Sequence, residues 1–291
     1  MNKIVILALL YFACINAAPQ RMVLPRLPAS VILSGKYQLI PEDKIVGGKE
    51  VVPNSLPFQI SLQRKSSSGI FSQSCGGSIL NENTILDAAH CVDGVADVSI
   101  FRVVAGEHDL FQVSSLEQNM DVNNILMHPD YNKKTSENDI ALIYLAAPLD
   151  LSVPSAKPIN MPPATWEFDP PAGIVATVSG WGTTSSGGST SNVLLSVDIP
   201  IISDDACNAI YTDESEPKPK AIYESMLCAG GPNGNVDSCQ GDSGGPFFIG
   251  TSTNAIQLGV VSWGRGCATG HYPGVYTQIS YFLDWINENL H

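Results

Sequence analysis

The sequence predicts an all-β protein, a barrel or a sandwich, that ends in a single helix. Short apolar or alternating runs recur along the chain after Leu56, and Gly, Pro, Asn and Ser separate them. Regular short strands divided by these turn residues are typical of β-barrels and β-sandwiches. A long amphipathic helical pattern is missing until the end of the chain. With 291 residues and 44% hydrophobic content, the chain can bury one large core or two small ones.

The first 18 residues predict a secretory signal. Residues 1–3 give a basic start, residues 4–15 are an apolar run, and the small residues Ala17 and Ala18 follow. The run is too short to span a membrane. We therefore expect residues 1–18 to be removed and the mature protein to be secreted into the extracellular space.

A pro-segment is predicted at residues 19–44, because this stretch holds four prolines without a period. It ends at Lys44, before the apolar Ile45 and Val46 and two glycines. Such a junction predicts a proteolytic processing site, and cleavage there would create a new amino terminus that could insert into a pocket. The alternative is an ordinary strand that starts after a loop. The folded domain is then expected at residues 45–291. Its acidic character, with a net charge of −13 for the whole chain, argues against nucleic acid and anionic membranes as partners.

Eight strands and one closing helix are predicted. Ser280 is the expected cap of the helix, whose apolar residues include Trp285 and Ile286. A proline-rich connection at residues 158–171 is the predicted boundary between two halves. The strands are expected at residues 58–62, 77–80, 98–104, 140–145, 174–179, 193–199, 257–262 and 274–279.

Six cysteines remain once Cys14 has left with the signal. An even number in a secreted chain predicts three disulfides, but six cysteines allow 15 pairings and the spacing does not choose among them. A zinc site is the alternative, and the absence of Cys-x-x-Cys pairs and of histidines at ligand spacing argues against it.

The candidate nucleophile is Ser243, in the glycine-rich stretch at residues 241–246. Glycines on both sides let the backbone make turns closed to other residues and bring its amides close to a bound atom. The alternative is a tight turn between strands, because Gly, Asp, Ser and Pro are also ordinary turn residues.

A serine hydroxyl needs a base to take its proton, and the base needs a third group to orient it. His90 is the best placed of the five histidines, because it follows an apolar run and stands beside Cys91, which can staple its turn. Asp139 lies at the mouth of a buried strand, where a carboxylate must be hydrogen-bonded, and orienting an imidazole would satisfy it. Each residue taken alone is more often structural than catalytic.

The order of these residues separates two hydrolase folds. Residues 241–245 also match Gly-x-Ser-x-Gly, the nucleophile elbow of α/β-hydrolases, in which the acid and the histidine follow the serine. That fold needs alternating strands and helices before Ser243, and the preceding chain has a β pattern. The order histidine, acid, serine fits the β-barrel proteases instead.

Four motifs together resemble the chymotrypsin-like serine proteases. They are Ala88-Ala89-His90-Cys91, Asp139-Ile140-Ala141-Leu142, the stretch around Ser243, and Ile45-Val46-Gly47-Gly48. The resemblance runs from Ile45 to about Leu290. It is strongest to secreted trypsins of invertebrates, the crustacean ones among them, through residues 75–79, 180–184 and 273–276.

The resemblance implies a fold and a set of roles. The fold is two six-stranded antiparallel β-barrels with a C-terminal helix. Ser243 would attack the peptide carbonyl, His90 would move the proton, and Asp139 would hold His90. Backbone amides of Gly241 and Ser243 would bind the oxyanion.

Specificity and activation follow from the same resemblance. Asp237 would form the base of the pocket that receives an Arg or Lys side chain, and Gly264 and Gly274 would leave room in its walls. Cleavage after Lys44 would free the ammonium of Ile45 to pair with Asp242. The expected protein is thus a secreted zymogen of a trypsin-like endopeptidase, digestive in role and monomeric, with protein inhibitors as further partners.

The resemblance also implies disulfides and an ion. The implied pairs are Cys75–Cys91, Cys207–Cys228 and Cys239–Cys267. The loop at residues 107–117 resembles the calcium loop of trypsins at Glu107 and Glu117, although Ser114 replaces an acidic residue that many relatives have. No cofactor is required, and calcium would be a structural ion.

Asp87 departs from the family pattern, since Ser or Thr usually stands three residues before the histidine. An extra carboxylate there is expected to favour the charged imidazole and to shift the acid limb of activity upward. The main rival from another class is a non-catalytic homologue that acts as a binding protein, and the intact His90, Asp139 and Ser243 argue against it.

Overall fold

The first barrel is built from six antiparallel strands whose inward side chains are apolar. The computed structural model describes residues 48–163, 170–183, 190–213, 219–230, 242–265 and 272–290. The strands pair in the order β2-β3-β4-β7-β6-β5, and pairing of β2 with β5 closes the barrel. Their bounds are β2 Gln59–Lys65, β3 Phe71–Ile79, β4 Thr84–Asp87, β5 Phe101–Ala105, β6 Gln118–Met127 and β7 Ala141–Leu145; the short β1, Lys49–Glu50, precedes them.

The second barrel repeats this architecture in the later half of the chain. Its strands pair in the order β8-β9-β10-β13-β12-β11, and pairing of β11 with β8 closes the ring, while β1 adds to β9 from outside. Their bounds are β8 Val175–Gly180, β9 Leu195–Ile202, β10 Met226–Ala229, β11 Pro246–Ile249, β12 Ile256–Trp263 and β13 Gly274–Gln278. The predicted fold of two six-stranded β-barrels is confirmed.

Four barrel strands were not among the predicted ones. β6 carries five Asn, Gln and Asp residues among its ten and alternates poorly, so its pattern is that of a polar loop. β4, β10 and β11 have four residues each, which is short for a periodic signal. The eight predicted strands exist, with bounds that differ by a few residues. The connection at residues 158–171 falls between β7 and β8, and its residues 164–169 lie outside the described part.

Three α-helical segments accompany the barrels in the described residues: α1 Ala89–Val92, α2 Asp204–Tyr211 and α3 Leu283–Glu288. The sequence analysis missed α2, although Ser203 caps it by accepting a hydrogen bond from the Ala206 amide at 3.3 Å. The expected cap of the closing helix was wrong. Ser280 lies inside a 3-10 turn, Ile279–Phe282, and α3 begins after it without a side-chain cap.

The closing helix packs on the first barrel rather than on the one that precedes it. Phe282, Leu283 and Ile286 belong to the same buried cluster as the inward side chains of β2 to β7. The Tyr144 hydroxyl donates to the Asn289 carbonyl at 2.8 Å. The end of the chain thereby ties the two halves together. No helix in the described ranges is long and apolar enough to cross a membrane.

Buried polar contacts join the two barrels. Ser78 Oγ donates to Gln257 Oε1 at 2.7 Å, and Ser179 Oγ donates to Gln59 Oε1 at 2.7 Å. Buried polar groups of this kind need partners with defined geometry, so they set the relative position of the barrels. All the described candidate catalytic residues lie at this junction.

Candidate active site

His90 stands on a turn that two neighbouring constraints hold in place. β4 ends at Asp87, and the one-turn helix α1 follows at once, so His90 leaves the mouth of the barrel. Cys91, the next residue, forms the predicted disulfide with Cys75 of β3. About a third of the His90 side chain, 32%, is exposed. The imidazole is therefore fixed at its base and accessible from outside.

Asp139 is buried and fully engaged. Its side chain is 1% exposed, and its Oδ2 lies 2.7 Å from His90 Nδ1. Its Oδ1 accepts a hydrogen bond from the His90 amide at 2.8 Å. A buried carboxylate in this arrangement favours the tautomer with a proton on Nδ1, which leaves Nε2 free to accept a proton.

Two hydroxyls that the sequence analysis did not single out complete the surroundings of Asp139. Ser262, near the end of β12, donates from Oγ to Asp139 Oδ2 at 2.5 Å. Thr277 of β13 donates from Oγ1 to the Asp139 carbonyl at 2.7 Å. Both lie in apolar strands of the second barrel, and a polar residue inside such a strand is the signal that could have revealed them. The second barrel thus stabilises a carboxylate that belongs to the first.

Ser243 lies on a tight turn between the two barrels. Its carbonyl accepts a hydrogen bond from the Gly76 amide of β3 at 2.7 Å, and the Gly244 amide donates to Val261 of β12 at 2.9 Å. Gly244 has φ of 78°, and a Cβ there would stand 2.0 Å from Asp87 Oδ1. The glycine after Ser243 is therefore required both by its backbone conformation and by the side chain packed against it.

The structure brings His90 and Asp139 into direct contact and places Ser243 at the same junction. No hydrogen bond joins Ser243 to His90, both of which lie in the described part of the chain. His90 Nε2 lies 3.8 Å from Cys91 Sγ instead. Catalytic hydrogen bonds are often long or poorly aligned without substrate and tighten when it binds.

Asp242 occupies a narrow slot beside the nucleophile segment. Its Oδ1 accepts a hydrogen bond from the Gly182 amide at 2.9 Å. A Cβ on Gly180 or Gly182 would stand 2.1 Å or 2.5 Å from a carboxylate oxygen of Asp242. Its expected partner Ile45, like Lys44, lies outside the described residues.

The predicted specificity pocket is described in part. Asp237 and Gly241 lie outside the described residues, as does the expected disulfide Cys239–Cys267. Gly264 directly follows β12, and Gly274 opens β13, with Trp263 paired to Val275 between them. The two glycines thus meet at the same end of neighbouring strands. The disulfide Cys207–Cys228, which joins α2 to β10, is confirmed.

Asp87 is completely buried and behaves differently from the expectation. Burial, ahead of the charge of Asp139, holds the pKa of its carboxyl well above the usual range, although the Ala88 amide donates to Oδ1 at 2.6 Å. Its Oδ2 has no hydrogen-bond partner. Burial therefore favours the neutral form of the Asp87 carboxyl, whereas the expected effect on the acid limb required its charged form.

Glu107 and Glu117 lie close enough for their charges to interact. Burial, and then the charge of Glu117, raises the pKa of Glu107 to about 7. The Glu107 carboxylate accepts from the His108 amide at 3.0 Å, and that of Glu117 accepts from the Ser114 amide at 2.5 Å. Two neighbouring carboxylates fit a hard cation such as calcium, which binds through oxygen ligands.

Within the described ranges, one other group has the arrangement of metal ligands. Cys75, His90 and Cys91 offer nitrogen and sulfur atoms within 4.8 Å of one another. The two sulfur atoms form the disulfide of the His90 turn, and a disulfide supplies no thiolate to a metal. This group is therefore a feature of the candidate catalytic turn rather than a metal centre.

Comparison with known proteins agrees with this geometry. A protein-family model described as Trypsin matches residues 45–286. The chain is 40% identical to Trypsin-1 of Astacus astacus over 251 residues, which cover 84% of this chain and 99% of that protein. It is 42% identical to Trypsin zeta of Drosophila melanogaster over 256 residues, or 86% and 87% of the two chains. It is 37% identical to Trypsin V-A of Rattus norvegicus over 249 residues, or 86% and 90%.

Proposed function

Because the chain belongs to the trypsin family of serine endopeptidases, we propose that it cleaves peptide bonds after Arg or Lys. It is made as a secreted zymogen, acts as a monomer in digestion, and is a target of protein inhibitors. The observation that carries the catalytic part is the pair of His90 and the buried Asp139, which four hydrogen bonds hold at the junction with Ser243.

The proposed reaction proceeds through an acyl-enzyme. Ser243 Oγ attacks the peptide carbonyl while His90 Nε2 takes its proton, and the same proton then goes to the leaving amine. Asp139 stabilises the charged imidazole through the contact at Nδ1. Amides of Gly241 and Ser243 hold the oxyanion, and loss of one such donor costs about 3–4 kcal/mol of transition-state stabilisation. Water enters by the same path to release the acid.

We propose that specificity for Arg and Lys rests on the carboxylate of Asp237. The open ends of β12 and β13 at Gly264 and Gly274 support this proposal, because two adjacent positions without side chains leave space for a long substrate chain. A carboxylate at the base would pair with guanidinium or ammonium, and a neutral side chain would lack a partner there.

Activation rests on Asp242. We propose that cleavage after Lys44 frees the Ile45 ammonium, which pairs with the Asp242 carboxylate. The slot that holds this carboxylate, one residue before Ser243, supports the proposal because it gives the carboxylate a single position. The charge pair would then order the segment that carries the oxyanion amides.

No cofactor takes part in the proposed reaction. Calcium is proposed as a structural ion that Glu107 and Glu117 hold, supported by the interaction of their two carboxylates. When bound, the ion would supply a positive charge that neutralises both groups.

The test is a substrate profile of the activated protein. The full chain would be treated with a trace of trypsin and assayed on matched peptides with Arg, Lys, Phe or Ala before the cut. A Ser243→Ala variant, treated identically, measures the activity of the added trypsin. We expect the unaltered chain to cleave the Arg and Lys peptides faster than this trypsin background, and the Ser243→Ala variant to add nothing to it. Cleavage after Phe but not after Arg would contradict the role of Asp237.

A further inference from the structure

Lys220 places its ammonium group between the two barrels at the edge of the candidate active site. Its Nζ lies 3.6 Å from the centroid of the Trp263 ring and donates to Ser136 Oγ at 2.9 Å. Trp263 directly follows Ser262, which donates to Asp139, and Ser136 lies three residues before Asp139. The ammonium therefore contacts both segments that flank the buried carboxylate.

The charge of Lys220 is poorly compensated. None of the ion pairs between described residues includes it. Burial lowers the pKa of its amine to about 8, and the attraction of Asp139 opposes this shift while repulsion from Arg265 adds to it. Arg265 is a second cation near this ammonium, on a chain whose net charge is −13. Two neighbouring cations attract an anionic group.

We propose that Lys220 and the Trp263 ring form a subsite for an acidic side chain of the substrate, close to the bond that is cut. The inference rests on the proposed function, because it needs a peptide whose basic side chain enters the pocket beside Gly264. Gly264 follows Trp263, and an extended peptide advances about 3.3 Å per residue. A residue two to four positions before the cut can therefore reach the amine.

The chemistry of the subsite suits Asp or Glu. An ammonium has three N–H donors, and Ser136 takes one of them, so a carboxylate can accept from the others. The Trp263 ring lies 3.6 Å from the ammonium and helps to hold it in position. A partly buried charge pair is less screened by salt than one in open water. The rest of the acidic protein repels acidic peptides, so a preference for them depends on this site.

The experiment uses fluorogenic peptides that end in Arg-amide and differ at one position, with Glu, Gln or Lys two, three or four residues before the cut. The activated full chain is compared with Lys220→Gln, Lys220→Arg and Lys220→Glu. Lys133→Gln is the matched control, because Lys133 lies in the same segment as Ser136 but is exposed and pairs with Asp93.

We expect kcat/KM for the Glu peptide to exceed that for the Gln peptide by about tenfold at one of these positions, the scale of a charge-assisted hydrogen bond. Lys220→Gln should bring this ratio of kcat/KM values to about one, and Lys220→Arg should keep it. Lys220→Glu should instead favour the Lys peptide. Lys133→Gln should leave it unchanged. A ratio near one in the unaltered chain, or one that Lys220→Gln leaves intact, overturns the inference.

A second readout is the dependence of the ratio on pH. Because kcat/KM reports groups of the free enzyme, the preference for Glu should decline as pH rises through about 8, where Lys220 loses its proton. The charged groups that act on the amine are Asp139 and Arg265. Glu137, Tyr211 and His90 are further titratable groups on the elements around it, and the Gln peptide controls for all of them. A ratio that is constant from pH 7 to 10 contradicts the subsite.

Failure of the inference can be told from failure of the proposed function. If the Gln peptide with Arg is cleaved but Glu brings no advantage, specificity for Arg stands and the acidic subsite is wrong. If none of the peptides with Arg or Lys before the cut is cleaved, the proposed function itself is wrong.

Discussion

Asp139 is the residue on which the proposed catalysis most depends. Its carboxylate binds both the ring and the amide of His90 and accepts from Ser262, so each oxygen has a defined partner. A buried anion with several donors is stable only while those donors remain. We therefore expect kcat to fall more when Asp139 loses its charge than when its side chain only changes in size.

Asp139→Asn should lower kcat by about 10⁴, because a neutral amide cannot stabilise the imidazolium and favours the wrong tautomer. Stopped-assay kinetics on an Arg peptide would measure this, with circular dichroism to confirm the fold. Ser262→Ala is the companion variant and should lose less, since it removes one donor and keeps the charge. Retention of kcat within tenfold in Asp139→Asn would contradict the assigned role.

The buried Asp87 carboxyl should lower the free energy of unfolding at neutral pH. Its pKa in the folded state is raised, so the folded protein keeps a proton that the unfolded chain releases above about pH 4. Stability is thus lost as pH rises from that value toward the folded pKa. Asp87→Asn, which is always neutral, should have a higher Tm at pH 7 than the unaltered chain, and the gain should shrink toward pH 4.

The control for Asp87 is Asp97→Asn. Asp97 is exposed, and its hydrogen bonds with Ser99 lower the pKa of its carboxyl. The effect of Asp97 on stability has the opposite sign. Because its pKa is lower in the folded state, its carboxylate stabilises the fold above the pKa of the unfolded chain, and this stabilisation is lost as pH falls. Differential scanning calorimetry at several pH values measures both. Equal gains for Asp87→Asn at pH 4 and pH 7 would rule out the neutral buried acid.

At the scale of elements, the loop between β5 and β6 brings two carboxylates together. Glu107 follows β5 and Glu117 precedes β6, and these two strands pair along their length. The pairing brings the ends of the loop near each other whatever the loop contains. This is the reason that the two end positions, rather than the middle of the loop, are the proposed ligands.

Calcium should raise the Tm more at pH 8 than at pH 6. Because the pKa of Glu107 is about 7, protons compete with the ion at the lower pH. Glu107→Gln should remove the gain, whereas Glu82→Gln, an exposed change elsewhere, should keep it. Magnesium serves as the second ion, since it fits irregular oxygen sites less well. An unchanged calcium response in Glu107→Gln would show that the ion binds elsewhere.

At the scale of the whole molecule, the site depends on both barrels at once. Asp139 belongs to the first barrel, but Ser262 and Thr277 of the second barrel hold it. Ser243 belongs to the second, but the Gly76 amide and Asp87 of the first position its turn. Neither barrel alone supplies a complete set of partners, so separation of the barrels would remove partners of both Asp139 and Ser243.

Lys44→Gln should prevent activation by trypsin-like enzymes. Without a basic residue at the junction, no ammonium forms at Ile45, and the slot of Asp242 receives no partner from it. Mass spectrometry of the amino terminus and an assay of the incubated protein would test this, with Lys49→Gln, five residues on, as the matched change. Processing of Lys44→Gln at the usual rate would contradict activation by trypsin-like cleavage after Lys44.

The sequence by itself determined the all-β class of the fold and indicated the candidate catalytic residues. Turn residues between short apolar runs predict an all-β barrel or sandwich. Glycines around Ser243 predict a backbone that only glycine tolerates, and φ of 78° at Gly244 bears this out. Both features are local, because strand periodicity and allowed backbone angles depend on neighbouring residues. The family motifs added the partners His90 and Asp139, and the contact between them is present.

Only the tertiary structure decided what depends on residues far apart in the chain. The strand β6, polar in sequence, exists because β5 and β7 pair with it on both sides. Asp87, which is an ordinary acidic residue in the sequence, has a raised carboxyl pKa because the fold buries it completely. Lys220 meets Ser136, 84 positions away, only where the barrels join. Burial and long-range contact set the pKa of a side chain and the partners it meets, and no local pattern contains either.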